Sequence, residues 1–150
     1  QRPKNIIEVG TGMGYSTIWL ASSLPNVHVT SIELDKEKME RARKNVKDSG
    51  LKNITLLEGD ALQILKKIPS GVDFVFLDAR KRDYIKYLKL IEPKMGKQCV
   101  IVADNVISHS EKVNSYISYV KKKYYSITLQ LGSGLEISIK EGTKSLFKPR

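Results

Sequence analysis

The chain has 150 residues, a length that suits one domain with a sizeable buried core. With 41% hydrophobic and 28% charged residues, its composition is typical of a soluble globular protein. No run of residues approaches the roughly 18 apolar positions that a membrane span requires, so no membrane partner is expected. The net charge of +10 leaves nucleic acid or an anionic ligand open as a partner.

Short apolar runs alternate with helical patterns along the chain, and Gly or Pro residues separate them. Continuous apolar runs of this length are typical of strands buried on both faces of a sheet. The predicted strands are 5–9, 27–33, 54–58, 73–78, 99–104, 126–131 and 135–140. The predicted helices are 15–23, 36–49, 61–67, 83–91 and 111–123.

This order predicts an α/β fold: a doubly wound, mostly parallel seven-stranded sheet of the Rossmann-like type with a C-terminal antiparallel hairpin. The hairpin turn is Gly132-Ser133-Gly134. No linker or repeat divides the chain, so residues 1–150 are predicted to form a single domain. Cys99, the only cysteine, lies in an apolar run, which predicts an inert buried thiol and a reducing cytoplasm.

The basic surplus has two competing interpretations. Along residues 36–49 basic and acidic residues alternate, as on a solvated helix face. Denser groups occur at Lys121-Lys122-Lys123 and in the tail, at Lys144, Lys148 and Arg150. Because the lysine run would also complement the dipole at a helix C-terminus, nucleic acid is the less favoured partner.

The most informative segment follows the first strand, where Gly10, Gly12 and Gly14 are spaced two apart before a helix pattern. Glycine lets the backbone turn sharply and approach a ligand closely, and the helix N-terminus offers free N–H groups. Glu33 ends the next strand about 20 residues later, where an acid meets ribose hydroxyls in nucleotide-binding βαβ units. These features predict a site for an adenosine-containing cofactor; the alternative is an ordinary glycine-rich turn.

The glycines depart from the dinucleotide fingerprint G-x-G-x-x-G, because Tyr15 stands at its third glycine. Glu8, just before the loop, would repel a pyrophosphate but could accept a hydrogen bond from a cationic amino group. The pattern from Glu8 to Gly14, with Glu33 beyond it, resembles motif I of the class I S-adenosylmethionine-dependent methyltransferases.

Polar residues also follow later strands, and Asp78, Asp104 and Asn105 stand after two of them. The carboxyl ends of parallel strands meet at one edge of a sheet, so these residues would bring together two carboxylates and an amide oxygen. That oxygen set suits Mg²⁺. The alternative is that Asp78 only touches the cofactor and that Asp104 and Asn105 cap the helix beginning near Ser110. Both histidines of the chain are isolated, which leaves no cluster for a softer metal.

Two longer segments favour the metal site. Residues 72–84, VDFVFLDARKRDY, and residues 100–106, VIVADNV, resemble the metal-site segments of the cation-dependent O-methyltransferases, the catechol and caffeoyl-CoA O-methyltransferase-like enzymes. The similarity extends through Gly132-Ser133-Gly134-Leu135 and covers most of the chain. It implies S-adenosylmethionine and a divalent cation, Mg²⁺ in particular, as cofactors.

The resemblance also implies roles for individual residues. The metal ligands would be Asp78, Asp104 and Asn105, and Lys81 would be the catalytic lysine. The cofactor-binding residues would be Glu8, Gly10, Gly12, Gly14, Tyr15, Ser16, Glu33, Leu34, Asp60, Ala61 and Asp78. The competing interpretation of Lys81 is an exposed lysine in a surface salt bridge.

The chain departs from the family pattern in two ways. Arg80 stands where many bacterial members have an aspartate, which favours an anionic substrate. The family carries helices before its first strand that help to close the substrate pocket, whereas this chain starts almost on that strand. The domain is therefore expected to lack the usual N-terminal lid helices.

The expected function is metal-dependent transfer of a methyl group from S-adenosylmethionine to a hydroxyl oxygen of a small, catechol-like acceptor. Because the sulfonium methyl is already activated, the enzyme mainly aligns it with the acceptor oxygen and removes the proton, with Lys81 as the base. Two alternatives stay open: an RNA methyltransferase of the same fold, and a non-catalytic S-adenosylmethionine-binding module. A homodimer is also left open.

Overall fold

Strands and helices alternate as the sequence predicts, in a computed structural model that describes residues 2–24 and 26–141. The strands are β1 (Asn5–Val9), β2 (His28–Glu33), β3 (Ile54–Glu58), β4 (Val72–Leu77), β5 (Met95–Asp104), β6 (Tyr125–Leu129) and β7 (Leu135–Lys140). The helices are α1 (Tyr15–Ser22), α2 (Lys36–Ser49), α3 (Ala61–Ile64), α4 (Tyr84–Ile91) and α5 (Ser110–Lys123). Short 3-10 turns, Lys81–Asp83 and Glu92–Lys94, flank α4.

The described strands form one seven-stranded sheet in the order β3-β2-β1-β4-β5-β7-β6. Strands β1 to β5 pair in parallel, and β7 is antiparallel to both β5 and β6. The predicted doubly wound α/β fold with a C-terminal hairpin is therefore confirmed. The strand order reverses between β1 and β4, the place where sheets of this kind form a ligand crevice.

Most of the apolar core lies on the sheet face that packs against α3, α4 and α5. On this face Val75 and Leu77 of β4 and Ile101 of β5 are completely buried. Cys99 of β5 belongs to the same core, and burial raises the pKa of its thiol to about 12. The prediction of an inert buried thiol is confirmed, since thiolate formation is strongly disfavoured there.

The opposite face of the outer strands is apolar but only partly covered. Phe74, Val100, Ile139 and Tyr125 stand side by side across β4, β5, β7 and β6. Ile139 and Tyr125 are 42% and 55% exposed. Because side chains alternate between the two faces of a strand, the residues before and after each of these four point to the other face, which the core covers.

None of the described helices has the length and apolar character needed to cross a membrane.

Two boundaries differ from the sequence prediction by three residues or more, for local reasons. The helix predicted at 61–67 ends at Ile64, because the amide of Lys67 donates to the carbonyl of Ile64 and closes a tight turn before Pro69. Strand β5 begins at Met95 rather than at residue 99, since Met95 pairs with Val72 on the far side of a register shift. Polar residues at 97 and 98 interrupt the apolar pattern that the sequence prediction used.

Candidate functional site

A cleft of about 670 Å³ opens at the carboxyl ends of the parallel strands, at the switch point between β1 and β4. The predicted site residues that line it are Gly10, Gly12, Tyr15, Ser16, Glu33, Leu34, Asp60, Ala61, Asp78 and Asp104. The cleft is also lined by residues that the sequence did not single out, among them Met13, Lys38 and Tyr87. Glu8, Gly14, Lys81 and Asn105 do not line it.

Glycine shapes the loop between β1 and α1. Gly10 has a φ of 104°, and a Cβ atom on it would stand 2.0 Å from the backbone oxygen of Asp78. The loop therefore lies directly against the end of β4, which only a residue without a side chain allows. Gly12 also has a positive φ of 55°, but nothing lies within 4 Å of its Cβ position.

Glu33 holds the same loop from the end of β2. Its Oε2 accepts a hydrogen bond of 2.8 Å from the amide of Gly12, and its Oε1 accepts one of 3.0 Å from the amide of Asp35. A carboxylate has about four acceptor positions, so both oxygens can take a further donor from the cleft. The acid predicted to contact a ribose also fixes the glycine loop.

Glu8 lies beneath the cleft and is completely buried. Its carboxylate accepts hydrogen bonds from the hydroxyls of Ser16 and Thr17 on α1 and of Ser31 on β2. Burial raises the pKa of the Glu8 carboxyl, the three hydroxyls partly offset this effect, and the charge of Asp78 adds to it. The sequence predicts that Glu8 contacts the cofactor; in the structure its carboxylate joins β1, β2 and α1 through these hydroxyls.

Thr17 and Ser31 are the site-supporting residues that the sequence analysis missed. The signal was present, because Ser31 lies next to Ile32 and two positions after Val29 in a strand predicted to be buried on both faces. Such a residue needs a buried hydrogen-bond partner.

The far end of the cleft is formed at β2, β3 and α3. Asp60 caps α3 by accepting a 2.9 Å hydrogen bond from the amide of Leu62, and Ala61 is buried behind it. Leu34 is 57% exposed at the rim. This part of the cleft combines apolar surface with carboxylate acceptors, as a heteroaromatic ring with an attached sugar requires.

The mouth of the cleft lies at the start of α1. Tyr15 is 76% exposed there and packs edge-to-face against Trp19, with ring centroids 6.3 Å apart. Gly14 precedes it with a φ of 85° and stands 3.5 Å, measured from its Cβ position, from Ala42 of α2. Gly14 therefore contributes to the packing of α1 on α2 rather than to the cleft wall.

Asp78 lines the cleft and is also the centre of a polar cluster at its edge. Its Oδ1 accepts 2.9 Å hydrogen bonds from Nζ of Lys81 and from Nδ2 of Asn105. Lys81 also donates at 2.8 Å to the hydroxyl of Tyr84, which in turn donates at 3.0 Å to the backbone carbonyl of Asp104. The structure thus brings together Asp78, Lys81, Asp104 and Asn105, the residues that the sequence assigned to the metal and to catalysis.

Tyr84 is completely buried and was not predicted as a site residue. Burial raises the pKa of its hydroxyl well above the ordinary value, and the charges of Asp78 and Asp104 raise it further. The hydroxyl therefore keeps its proton and orients Lys81 through its oxygen. Its position three residues after Lys81, at the start of a helix, was the available signal, since residues at that spacing lie on the same face.

Lys81 is not the exposed lysine of the competing interpretation, because its side chain is only 13% exposed. It does form a salt bridge with Asp78, as that interpretation expected. The 5.2 Å distance from Nζ to the centroid of the Tyr84 ring adds a cation–π contact. The geometry holds the ammonium in one place between the carboxylate of Asp78 and the hydroxyl of Tyr84.

Asn105 adopts a left-handed conformation with a φ of 61°, which asparagine tolerates better than most residues. The hairpin turn supports the segment that follows it, since the amides of Val106 and Ile107 donate to the carbonyls of Gly134 and Ser133. A Cβ atom on Gly134 would lie 2.4 Å from Ile107. The alternative that Asp104 and Asn105 cap α5 is wrong, because the capping position is His109 and no side chain bonds to that helix end.

The donor set at Asp78, Asp104 and Asn105 fits a hard divalent cation. In the described part of the chain, no three His, Cys, Asp or Glu side chains group as a metal site. A cation here would therefore depend on two carboxylates and the amide of Asn105, which are ligand types that Mg²⁺ takes together with water. In the structure the amide nitrogen of Asn105, rather than its oxygen, points to Asp78 and donates a hydrogen bond to it.

The basic groups that would favour nucleic acid are less concentrated than the sequence suggests. Lys123 is bound to Glu92 at 2.9 Å, which leaves Lys121 and Lys122 exposed at the end of α5. Burial would raise the pKa of Glu92, but hydrogen bonds from Tyr124, Lys123 and Tyr119 lower it below its ordinary value. The basic tail, Lys144, Lys148 and Arg150, lies outside the described residues.

Comparison with known proteins agrees with this geometry. Residues 1–135 match the profile of a family described as O-methyltransferase. A catechol O-methyltransferase of Niastella koreensis is 37% identical over 110 residues, which are 69% of this chain and 50% of that protein. The catechol O-methyltransferase of Mycobacterium tuberculosis is 35% identical over 107 residues, 69% of this chain and 49% of that protein.

Solved structures show the same fold. The crystal structure of the O-methyltransferase TomG from Streptomyces achromogenes, in complex with S-adenosylmethionine, superposes with a TM-score of 0.83 at 26% identity. The match covers 94% of this chain and 74% of TomG. The chain spans about half the length of the curated relatives it matches.

The glycine loop yields a first prediction. Gly10→Ala should lower the free energy of unfolding by about 3–5 kcal/mol, because the new Cβ meets a backbone oxygen and also occupies a strained φ. Gly12→Ala is the matched control, with strain but no collision, and should cost about 1–2 kcal/mol. Urea unfolding of both variants measures the difference, and equal losses would contradict the close approach of the loop to β4.

Proposed function

The chain belongs to the O-methyltransferase family, and from that premise we propose that it transfers a methyl group from S-adenosylmethionine to a hydroxyl oxygen of a small, catechol-like acceptor with the help of a divalent cation. One observation carries the proposal. Asp78 lines the cleft and also contacts Lys81 and Asn105, so the cofactor site and the acid–base cluster share a residue.

The cleft supports S-adenosylmethionine as the methyl donor. Glu33, Leu34, Asp60 and Ala61 line the cleft; Glu33 and Leu34 would hold the ribose, and Asp60 and Ala61 would hold the adenine. The glycine loop leaves room for the methionine part of the cofactor to pass close to the backbone. The cofactor bound to TomG, a protein of the same fold, supports this assignment. We assign Glu8 to positioning Ser16 rather than to direct contact, because its carboxylate is completely buried and accepts hydrogen bonds from three hydroxyls.

The cation, Mg²⁺ in the proposal, would be held by Asp78, Asp104 and Asn105. When bound, it supplies a positive charge that acidifies an acceptor hydroxyl and fixes the acceptor in place. Two carboxylates and a neutral amide leave coordination positions for acceptor oxygens and water.

Lys81 is assigned as the base. The methyl group moves from the sulfonium sulfur to the acceptor oxygen, and the sulfur becomes a thioether. The hydroxyl proton passes to Nζ of Lys81, which accepts it only as the neutral amine and becomes the ammonium. Tyr84 and Asp78 hold Nζ in position, and the low exposure of Lys81 limits competition from water. Alignment of the two reacting atoms supplies most of the remaining rate enhancement.

The single cysteine supports a location in a reducing cytoplasm.

The test of the proposal is methyl transfer to a panel of catechols, followed by mass spectrometry, with Mg²⁺ and with excess EDTA. We expect turnover only with the metal present, since the hydroxyl otherwise stays protonated. Asp104→Asn should abolish stimulation by Mg²⁺ and leave S-adenosylmethionine affinity nearly unchanged, while Asp48→Asn, an exposed control, should behave as wild type. Full activity in EDTA would contradict the metal and favour the RNA methyltransferase alternative, whereas cofactor binding without turnover would indicate a binding module.

The cofactor site has its own test. Glu33→Ala should weaken S-adenosylmethionine binding by about 1.5–3 kcal/mol, the range for a hydrogen bond to a charged group. Calorimetry measures the loss, with Glu40→Ala on an exposed position of α2 as the charge-matched control. Unchanged affinity in a folded Glu33→Ala variant would remove Glu33 from the cofactor site.

The role of Lys81 is tested by rate. Lys81→Met should lower kcat at least about 100-fold with cofactor affinity retained, because a general base contributes 10²–10⁴-fold. The control is Lys86→Met, which removes the same charge. Lys86 lies on α4 and pairs with Asp83 in the turn before that helix, so its replacement should change kcat little. Retention of more than about a third of wild-type kcat in Lys81→Met would show that Lys81 is not the base.

A further inference from the structure

A second buried tyrosine packs against the ring of Tyr84. Tyr116 of α5 is 1% exposed, and its ring stands at 79° to that of Tyr84, with 5.6 Å between the two centroids. Perpendicular aromatic pairs at this distance attract each other beyond the effect of burial alone. Tyr116 does not line the cleft, so its connection to the site runs through Tyr84.

The hydroxyl of Tyr116 does not account for a tyrosine at this position. Among the residues that the structure describes, it has no hydrogen-bond partner. A buried polar group without a partner destabilises the folded state. The aromatic ring is therefore the part of Tyr116 that can serve the site.

The ring of Tyr84 must keep one orientation for its hydroxyl to hold two groups. That hydroxyl accepts from Nζ of Lys81 at 2.8 Å and donates to the backbone carbonyl of Asp104 at 3.0 Å. Nζ of Lys81 also lies 5.2 Å from the centroid of the same ring. Because the hydroxyl stands at the far end of a rigid side chain, a small rotation of the ring would weaken both hydrogen bonds.

The close packing of the core prevents such a rotation. Tyr84 and Tyr116 are both among the largest fully buried side chains of the described chain. Removing the ring of Tyr116 would leave a cavity beside Tyr84, since a close-packed interior relaxes only in part. The Tyr84 ring would then be free to turn toward the empty space.

We propose that Tyr116 is a positioning residue for methyl transfer: its ring holds Tyr84 in the orientation in which the Tyr84 hydroxyl fixes Nζ of Lys81. This rests on the proposed function, in which Lys81 is the base. Helix α5 thereby contributes to catalysis, although none of its residues lines the cofactor cleft.

The test compares two substitutions at position 116. Tyr116→Leu removes the ring and should lower kcat about 5–50-fold, since a misplacement of the order of 1 Å at a reacting group costs up to about 10²-fold. Calorimetry should show S-adenosylmethionine affinity near that of wild type, because Tyr116 lies outside the cleft. An unchanged kcat in a folded Tyr116→Leu variant would overturn the proposal.

Tyr116→Phe is the conservative variant. It keeps the ring and removes only a hydroxyl that has no partner in the described part of the chain. Wild-type kcat should be retained, and the melting temperature should equal or exceed that of wild type. Loss of kcat in this variant would show that the hydroxyl, not the ring, serves the site.

Tyr119→Leu is the matched control, with the same change three residues further along α5. There the tyrosine hydroxyl donates to Glu92 and accepts from Lys123, at a distance from the cluster around Lys81. The variant should melt at a lower temperature but keep wild-type kcat. A loss of kcat equal to that of Tyr116→Leu would assign the effect to general loosening of α5 and contradict a positioning role.

A double-variant cycle tests the route through Tyr84. Tyr84→Phe removes the hydroxyl that binds Lys81 and should lower kcat by itself. Adding Tyr116→Leu to it should lower kcat by less than about a further threefold, because the group that Tyr116 positions is already absent. Losses that multiply in full would mean that Tyr116 acts independently of the Tyr84 hydroxyl, against the proposal.

Acetylation of Lys81 reports the position of Nζ without any turnover. The Lys81 side chain is only 13% exposed, so it should react with acetic anhydride several-fold faster once Tyr84 can move. Peptide mass spectrometry, with Lys86 as the internal reference, should show this increase in Tyr116→Leu but not in Tyr116→Phe or Tyr119→Leu. Equal labelling of Lys81 in wild type and Tyr116→Leu would overturn the proposal.

The labelling also separates this proposal from the proposed function. Absence of turnover of every catechol by the wild type would overturn the proposed function, and the acetylation of Lys81 then decides the role of Tyr116 by itself. If Tyr116→Leu does not fold, Tyr116→Met takes its place, since methionine has no ring and adapts to irregular space in a core.

Discussion

The contact between Gly10 and the backbone of Asp78 fixes the geometry on which the rest of the site depends. A side chain at position 10 would collide with the end of β4, so the cofactor loop and the strand that delivers Asp78 can approach only because no Cβ intervenes. Glu33 holds the loop from the other side through the amide of Gly12. The loop is therefore clamped between two strand ends, and the cofactor cleft cannot shift relative to the Asp78 cluster without breaking one of these contacts.

Asp78 connects the cleft to the polar cluster, because it lines the cleft and its carboxylate contacts Lys81 and Asn105. One oxygen of its carboxylate is shared by Lys81 and Asn105, which compensates a charge that would otherwise be costly in a partly buried place. Tyr84 completes the cluster by linking Lys81 to the backbone of Asp104. Because the tyrosine hydroxyl keeps its proton, it donates to β5 while it accepts from Lys81, and so it holds the turn before α4 in a fixed position relative to β5.

The sequence was sufficient for the fold and for bringing most candidate site residues to one edge of the sheet, because both depend on local patterns. Strands β1, β3 and β7 and helix α2 were placed at their observed boundaries, since continuous apolar runs and helical periodicity are local properties. The start of β5 was missed because its first residues owe their conformation to pairing with β4, which no local pattern encodes. The role of Glu8 was missed for a related reason: whether a carboxylate faces a ligand or a neighbouring helix depends on which hydroxyls the fold brings to it.

Buried carboxylates held by hydroxyls recur in this fold and explain several polar residues within its strands. Glu136 of β7 is completely buried and accepts hydrogen bonds from Ser126 and Thr128 of β6, in the same way that Glu8 accepts from α1 and β2. A buried carboxylate without such donors would be strongly destabilising. The buried glutamates therefore depend on these hydroxyls. Each group of hydrogen bonds also joins strands or helices that apolar contacts alone would allow to shift relative to one another. At β7 the result stabilises the hairpin whose turn supports Asn105, while at β1 it fixes the helix that follows the glycine loop.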